Sequence, residues 1–169
     1  PALLNEAAAS HNGRVVRCPV GRNATADALA GFPPEKVAIA GEGTGAVMMP
    51  QFRFVYDGIA SMLAILTMMH RRSQTLGSIL AAYPKYSILK GEVPLESHRI
   101  PQMMDDIESR YPGTRKNNLD GLRADFDDSW FHVRVSQTAP IVRVIAEQRG
   151  DPPAALFDEL MDTVRSYNS

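Results

Sequence analysis

Between residues 56 and 70 the apolar positions recur every three or four residues: Ile59, Met62, Leu63, Leu66 and Met69. That period predicts the strongest helix in the chain, with these side chains turned inward. A second helix is predicted over about 73–82, with Leu76, Ile79 and Leu80 on its face. Ahead of them, residues 2–10 are Ala-rich and helix-prone, and Asn12-Gly13 makes a good stop. Val15 and Val16 give 14–18 the character of a short strand. Asn23 is placed to cap a helix over 24–30, which Gly31 and Pro33-Pro34 end. The apolar run 37–40 predicts a buried parallel strand, and 47–49 another that Pro50 closes. Helices alternating with strands indicate an α/β layered fold.

The texture changes near Tyr83-Pro84. Residues 86–93 read as a strand and 97–111 as a helix, with Ser97 as cap and Ile100, Met103, Met104 and Ile107 as its buried stripe. Pro112-Gly113 ends that helix, and 114–118 reads as a polar loop. Leu122, Ala124 and Phe126, then Phe131, Val133 and Val135, alternate with polar residues as half-buried antiparallel strands do. Asp127-Asp128-Ser129 connects them like a hairpin, and 141–147 adds a strand. Asp151-Pro152 offers a cap and first-turn proline to a last helix, with Leu156, Leu160 and Val164 inward. The order β-α-β-β-β-α predicts a small α+β domain with an antiparallel sheet. The expected division is 1–84 and 85–169.

Composition narrows the function classes. At 169 residues and 44% hydrophobic, the chain can support one or two small cores. A net charge of −1 gives no global pull toward nucleic acid or an anionic membrane, so anion binding must come from a local cluster. Cys18 is the one cysteine, which excludes an internal disulfide and a Cys-based zinc pair. No run of 18 apolar residues and no signal pattern at the start leave a soluble, cytoplasmic protein as the expectation. His11, His70, His98 and His132 show no metal-ligand spacing, and His132 alternates with Trp130 and Arg134 as a strand residue.

Chemistry concentrates in Arg134-Val135-Ser136-Gln137-Thr138-Ala139-Pro140. A guanidinium, two hydroxyls and a carboxamide follow a predicted strand, an arrangement that can aim donors at a phosphate. Arg pairs two phosphate oxygens at once, which Lys cannot do. Each such charged hydrogen bond is worth roughly 1.5–3 kcal/mol. The same residues also suit an ordinary polar hairpin turn. A second locus is Gly41-Glu42-Gly43-Thr44-Gly45. Its glycines allow a sharp turn and close approach to a ligand. Glu42 can accept from vicinal sugar hydroxyls and Thr44 can donate or accept, although a plain Gly-rich turn fits the spelling too.

The Arg134 run resembles the phosphate-binding loop of the last domain of α-D-phosphohexomutases, R-x-S-G/N-T-E-P. Arg134, Ser136, Thr138 and Pro140 match, while Gln137 stands for Gly or Asn and Ala139 for Glu. Other landmarks fall in family order. Gly13-Arg14-Val15-Val16-Arg17-Cys18-Pro19-Val20-Gly21 resembles a strand and turn, and Gly41 to Gly45 the G-E-x-S-G sugar-recognition loop. Asp57-Gly58 is similar to the pair that opens a helix, and Asp120-Gly121 to the pair before the last domain's strands.

The resemblance implies a partial α/β third domain followed by a small fourth domain of the TATA-box-binding-protein-like kind, joined by a hinge near Pro84-Lys85. It implies an intramolecular phosphotransferase, a phosphomannomutase or phosphoglucomutase, that interconverts hexose 1-phosphate and hexose 6-phosphate. Mannose and glucose phosphates are the implied partners, with glucosamine phosphate the alternative. Phosphate would be held by Arg134, Ser136, Gln137 and Thr138, and sugar hydroxyls by Glu42 and Thr44. The family's catalytic phosphoserine and its Mg²⁺ loop have no counterpart in this sequence. The chain is therefore expected to be the C-terminal part of a larger enzyme, inactive alone, with Mg²⁺ held in the missing domains. Departures at Pro19, Ala46 and Ala139 keep open a non-catalytic binding or regulatory module, including one from a nucleotidyltransferase–mutase fusion. They also leave the family's proton-shuttling residues without a counterpart; Arg22 could supply the positive charge absent at Pro19, or be an exposed turn residue.

Overall fold

A computed structural model describes residues 1–21, 23–136 and 139–168. The chain divides into two compact units, one of Val16–Tyr83 and one of Pro84–Ser169 joined by Pro1–Val15. By packing, residues 1–15 therefore go with the second unit. Their helix α1, Leu3–Ala9, ends as the sequence suggests, with Asn12 in the left-handed region at φ 56°.

The first unit contains α2 (Ala24–Leu29), β1 (Ala40–Gly41), β2 (Val47–Met49), β3 (Arg53–Tyr56), α3 (Gly58–Arg72) and α4 (Leu76–Ala81). The three strands form an antiparallel sheet in the order β1-β2-β3. Here several expectations change. Residues 14–18 form no strand, because a β-branched run becomes one only beside a ladder partner and none lies alongside. The segment at 37–40 is neither parallel nor buried: only Ala40 enters β1, which folds back on β2 as a hairpin. β3 was not anticipated. Asn23 sits at the start of α2 without a side-chain cap. Asp57 does cap α3, accepting from the Ala60 amide at 2.9 Å. α3 buries none of its residues, so the face of Ile59, Met62, Leu63 and Leu66 is exposed where the periodicity placed it inward. On α4, capped by Thr75, only Ile79 is buried.

The second unit adds β4 (Tyr86–Pro94), α5 (Ile100–Arg110), β5 (Arg115–Asn117), β6 (Leu122–Asp125), β7 (Ser129–Val135), β8 (Ile141–Arg149) and α6 (Ala154–Ser166). Its antiparallel sheet runs β4-β8-β7-β6-β5. The polar residues 115–117, expected as loop, make the edge strand, because pairing with Arg123 to Asp125 satisfies their backbone. Ser97 opens a short 3₁₀ turn ahead of α5 rather than capping it, and α6 starts at Ala154 without a side-chain cap from Asp151.

Alternation along β6, β7 and β8 sends Leu122, Ala124, Phe131, Val133, Val142, Val144 and Ala146 to one face. Met103 and Ile107 of α5 and Leu160 and Val164 of α6 close over it. Full burial of such a side chain contributes roughly 1.5–3 kcal/mol. At Gly91 a methyl group would stand 2.7 Å from Met161 Sδ, so glycine lets α6 lie close against β4.

Candidate functional site

The period of two that builds this core dictates what the opposite face carries. Trp130, His132 and Arg134 alternate with Phe131, Val133 and Val135 along β7, so they share the other side of the sheet. Register places Arg123 and Ile145 beside His132, and Arg143 beside Arg134. Glu92 lies next to Arg143, and Arg143 Nε stands 2.9 Å from Glu92 Oε1 in an ion pair without hydrogen-bond alignment.

Arg134 is 8% exposed, yet no carboxylate among the described residues lies within ion-pair distance of it. Two guanidinium side chains directly across a strand pair repel each other, and a sheltered charge without a counter-ion is costly. Among the described residues Arg143 has Glu92 beside it, while Arg134 has no carboxylate at ion-pair distance. Beyond it, Ser136 is buried, and its amide donates to the Ile141 carbonyl at 2.9 Å. The Ile141 amide in turn donates to the Ala139 carbonyl, and the Leu95 amide to that of Pro140. These amides are committed to shaping the bend, so recognition of an anion falls mainly to side chains. Gln137 and Thr138 lie outside the described residues, as does Arg22.

Gly121 fixes the near edge of the same locus. Its φ is 78°, and a side chain there would collide with the Val133 carbonyl and the Arg134 backbone. A His132 ring nitrogen is hydrogen-bonded to the carbonyl of Asp120, the residue before it. Burial pushes the His132 pKa down; the hydrogen bond to the Asp120 carbonyl and the Asp120 carboxylate oppose it, and the Arg134 and Arg123 guanidiniums add a lesser push in the direction of burial. Further along the face Arg123 pairs with Asp125 and lies 3.9 Å over the Trp130 ring. Trp130 Nε1 donates to the buried Glu147 at 2.8 Å, and the Ala2 amide donates to the same carboxylate oxygen.

The Gly41 to Gly45 loop is the tip of the β1–β2 hairpin, closed by the Glu42 amide on the Ala46 carbonyl and the Gly45 amide on the Glu42 carbonyl. Gly45 has φ 96°, and a side chain on Gly41 would meet the Ala46 carbonyl at 2.8 Å. Glu42 and Thr44 are both exposed on this tip. Glu42 is oriented by Tyr56, whose hydroxyl lies 2.9 Å from both Glu42 Oε1 and Thr25 Oγ1. A carboxylate only accepts, so Tyr56 donates to Glu42 and accepts from Thr25. Desolvation, helped by Glu42, raises the Tyr56 pKa.

The structure thus places Arg134 and Ser136 in the second unit and Glu42 and Thr44 in the first. Sequence reasoning missed Arg143 and Tyr56. Period two from Arg134 along its partner strand finds Arg143 once register is known; nothing in the spelling pairs Tyr56 with Glu42. Among the described residues no three His, Cys, Asp or Glu side chains converge as a metal site.

Comparison with known proteins adds a separate line. A family model described as phosphoglucomutase/phosphomannomutase, alpha/beta/alpha domain III, matches residues 2–86. Over 166 residues the chain is 28% identical to a probable phosphoglucosamine mutase of Methanopyrus kandleri, covering 96% of this chain and 36% of that protein. A phosphoglucomutase/phosphomannomutase of Thermococcus kodakarensis is 28% identical over 161 residues, or 94% of this chain and 34% of the relative. The chain spans about a third of the length of these curated relatives. A crystal structure of a phosphoglucomutase/phosphomannomutase family protein from Burkholderia thailandensis shares the fold, with a TM-score of 0.72 at 21% identity over 97% of this chain and 34% of that one.

Proposed function

The chain belongs to the phosphoglucomutase/phosphomannomutase family, and from that premise we propose that it is the C-terminal part of a hexose-phosphate mutase, holding the substrate while other domains carry out the chemistry. The parent enzyme would move a phosphoryl group between O1 and O6 of a hexose. Phosphoryl transfer needs positioning and charge neutralisation above all. In this division of labour the second unit grips the phosphate that is not reacting, through Arg134, Ser136, Gln137 and Thr138. Arg143, ion-paired with Glu92, stands across the strand pair from Arg134. The Glu42 and Thr44 hairpin grips sugar hydroxyls. The residues at 1–84 and 85–169 would correspond to the later part of one domain and to the next. The phosphoserine and the Mg²⁺ ligands would belong to the other domains.

The observation that carries this reading is the sheltered Arg134 guanidinium without a carboxylate among the described residues, facing Arg143. The bare apolar face of α3 supports the idea that more of the same domain covers it in the parent. Glucose, mannose and glucosamine phosphates all present hydroxyls that Glu42 and Thr44 could bind. Names of the relatives include both phosphoglucosamine mutase and phosphoglucomutase/phosphomannomutase.

Calorimetric titration of the chain with glucose 1-phosphate tests the reading. Arg134→Ala should weaken binding at least about tenfold, since one charged hydrogen bond is worth roughly 1.5–3 kcal/mol. Unchanged affinity removes the phosphate-loop assignment. A second reading, a binding module that has lost mutase chemistry, is favoured by Pro19, Ala46 and Ala139. Mutase activity of the parent protein, assayed with hexose 1-phosphate, decides between them.

A further inference from the structure

His132 occupies an unusual position for a strand residue. It sits one side-chain step from Arg134 on the same face, about 7 Å along β7 by strand geometry. Its ring is hydrogen-bonded to the Asp120 carbonyl, and the next residue, Gly121, lies against the backbone of Arg134. The imidazole therefore anchors the turn that walls the anion locus while remaining within electrostatic reach of it. We infer that His132 is a positioning residue that couples anion binding at Arg134 to the uptake of one proton. The inference rests on the phosphate-loop reading above and deepens it.

Burial and the charges around the ring set the direction together. Arg134 flanks it on its own strand, and Arg123 faces it from β6. Ile145 is its neighbour on β8, with Arg143 and Glu147 two positions to either side, and Lys90 lies one strand further on. Glu147 is engaged with Trp130 and the Ala2 amide, Arg123 with Asp125, Arg143 with Glu92, and Glu6 of α1 with Tyr86. Burial is the main reason the free imidazole stays neutral; the Asp120 carboxylate opposes it, and the Arg134 and Arg123 guanidiniums add a lesser push the same way as burial. A dianion clasped by Arg134 offsets that guanidinium and brings negative charge to the same face as the ring, which then protonates. The added positive charge strengthens the grip on the anion, and the protonated ring still donates to the Asp120 carbonyl. Binding should tighten as pH falls, with a proton taken from solvent for each anion bound.

Sulfate is the suitable probe, since it stays dianionic throughout this range. Calorimetry on the whole chain at pH 7.5 and 5.5, in buffers of different ionisation heat, reads affinity and proton uptake together. Wild type should bind sulfate more tightly by about threefold or more at pH 5.5, with net uptake of a proton. His132→Asn, which keeps a donor for the Asp120 carbonyl but cannot titrate, should still bind, with that uptake and pH dependence lost. The imidazole resonance of His132, followed by NMR, should titrate at higher pH with sulfate than without it. Uptake that persists in His132→Asn, or a His132 titration unmoved by sulfate, overturns the inference. Arg134→Ala separates the two levels. If sulfate binds equally well to that variant, or wild type binds none, the phosphate-loop reading falls and this inference falls with it. If affinity depends on Arg134 but not on His132, only this inference falls.

Discussion

Ile59 on α3 and Phe131 on β7 are both large apolar side chains in regular elements, yet one is 71% exposed and the other 0%. In the second unit, two helices close over one face of a five-stranded sheet, and alternation along each strand is fulfilled by burial. In the first unit, a comparable helical stripe is made and then left open: Met62, Leu63 and Leu66 accompany Ile59 at the surface, with Phe52 and Phe54 on and beside β3. Periodicity specifies which way a side chain should point relative to its element, not whether anything lies on that side. The period of a stripe does not by itself place it in a core.

The contrast yields predictions that differ by region. Phe131→Ala should lower stability of the second unit by about 3–5 kcal/mol in urea unfolding, because it opens a cavity between β7 and the helices. A small effect would mean that this core is loosely packed. Trp130→Phe removes the indole donor to the buried Glu147 and should cost about 1–3 kcal/mol by the same measurement, although no apolar volume of the helix-covered core changes.

A pH titration comes next. The unfolded imidazole of His132 titrates near its ordinary value of about 6.5, while the folded one is held lower, so the unfolded state binds more protons between the two. Stability in the absence of anion should therefore fall as pH drops below about 6.5, until the folded pKa is passed. His132→Asn should flatten that part of the profile. A stability that rises on acidification through this window would contradict the direction. Smallest of all, Leu63→Ser on the open face of α3 should change the chain's stability by no more than about 0.5 kcal/mol. In a longer protein that covers this face, the same substitution should cost several times more.

The second unit was legible because its signals agree. Alternating residues along β6 and β7, the hairpin at Asp127-Asp128, and the stripe on α5 all predict one packing, and that packing occurs. Failures cluster where an element depends on a neighbour. Residues 14–18 have strand composition but no ladder, and 37–40 yield only Ala40 to a short antiparallel hairpin. Of the candidate site, the loops were visible as spellings: the Arg134 bend and the Glu42 hairpin both terminate strands. Arg143 and Tyr56 were not, because cross-strand register and a tyrosine's reach across 14 residues to Glu42 exist only after folding.

The proposed binding depends on Arg134 drawing negative charge to its end of the sheet. The most direct check is an amide-resolved NMR titration of the chain with glucose 1-phosphate, repeated on Arg134→Ala. The largest shifts should fall on amides between Arg134 and Ile141, on Gly121 and on Arg143, and they should collapse in the variant. Shifts that leave these positions unmoved, or that are identical in Arg134→Ala, would contradict it.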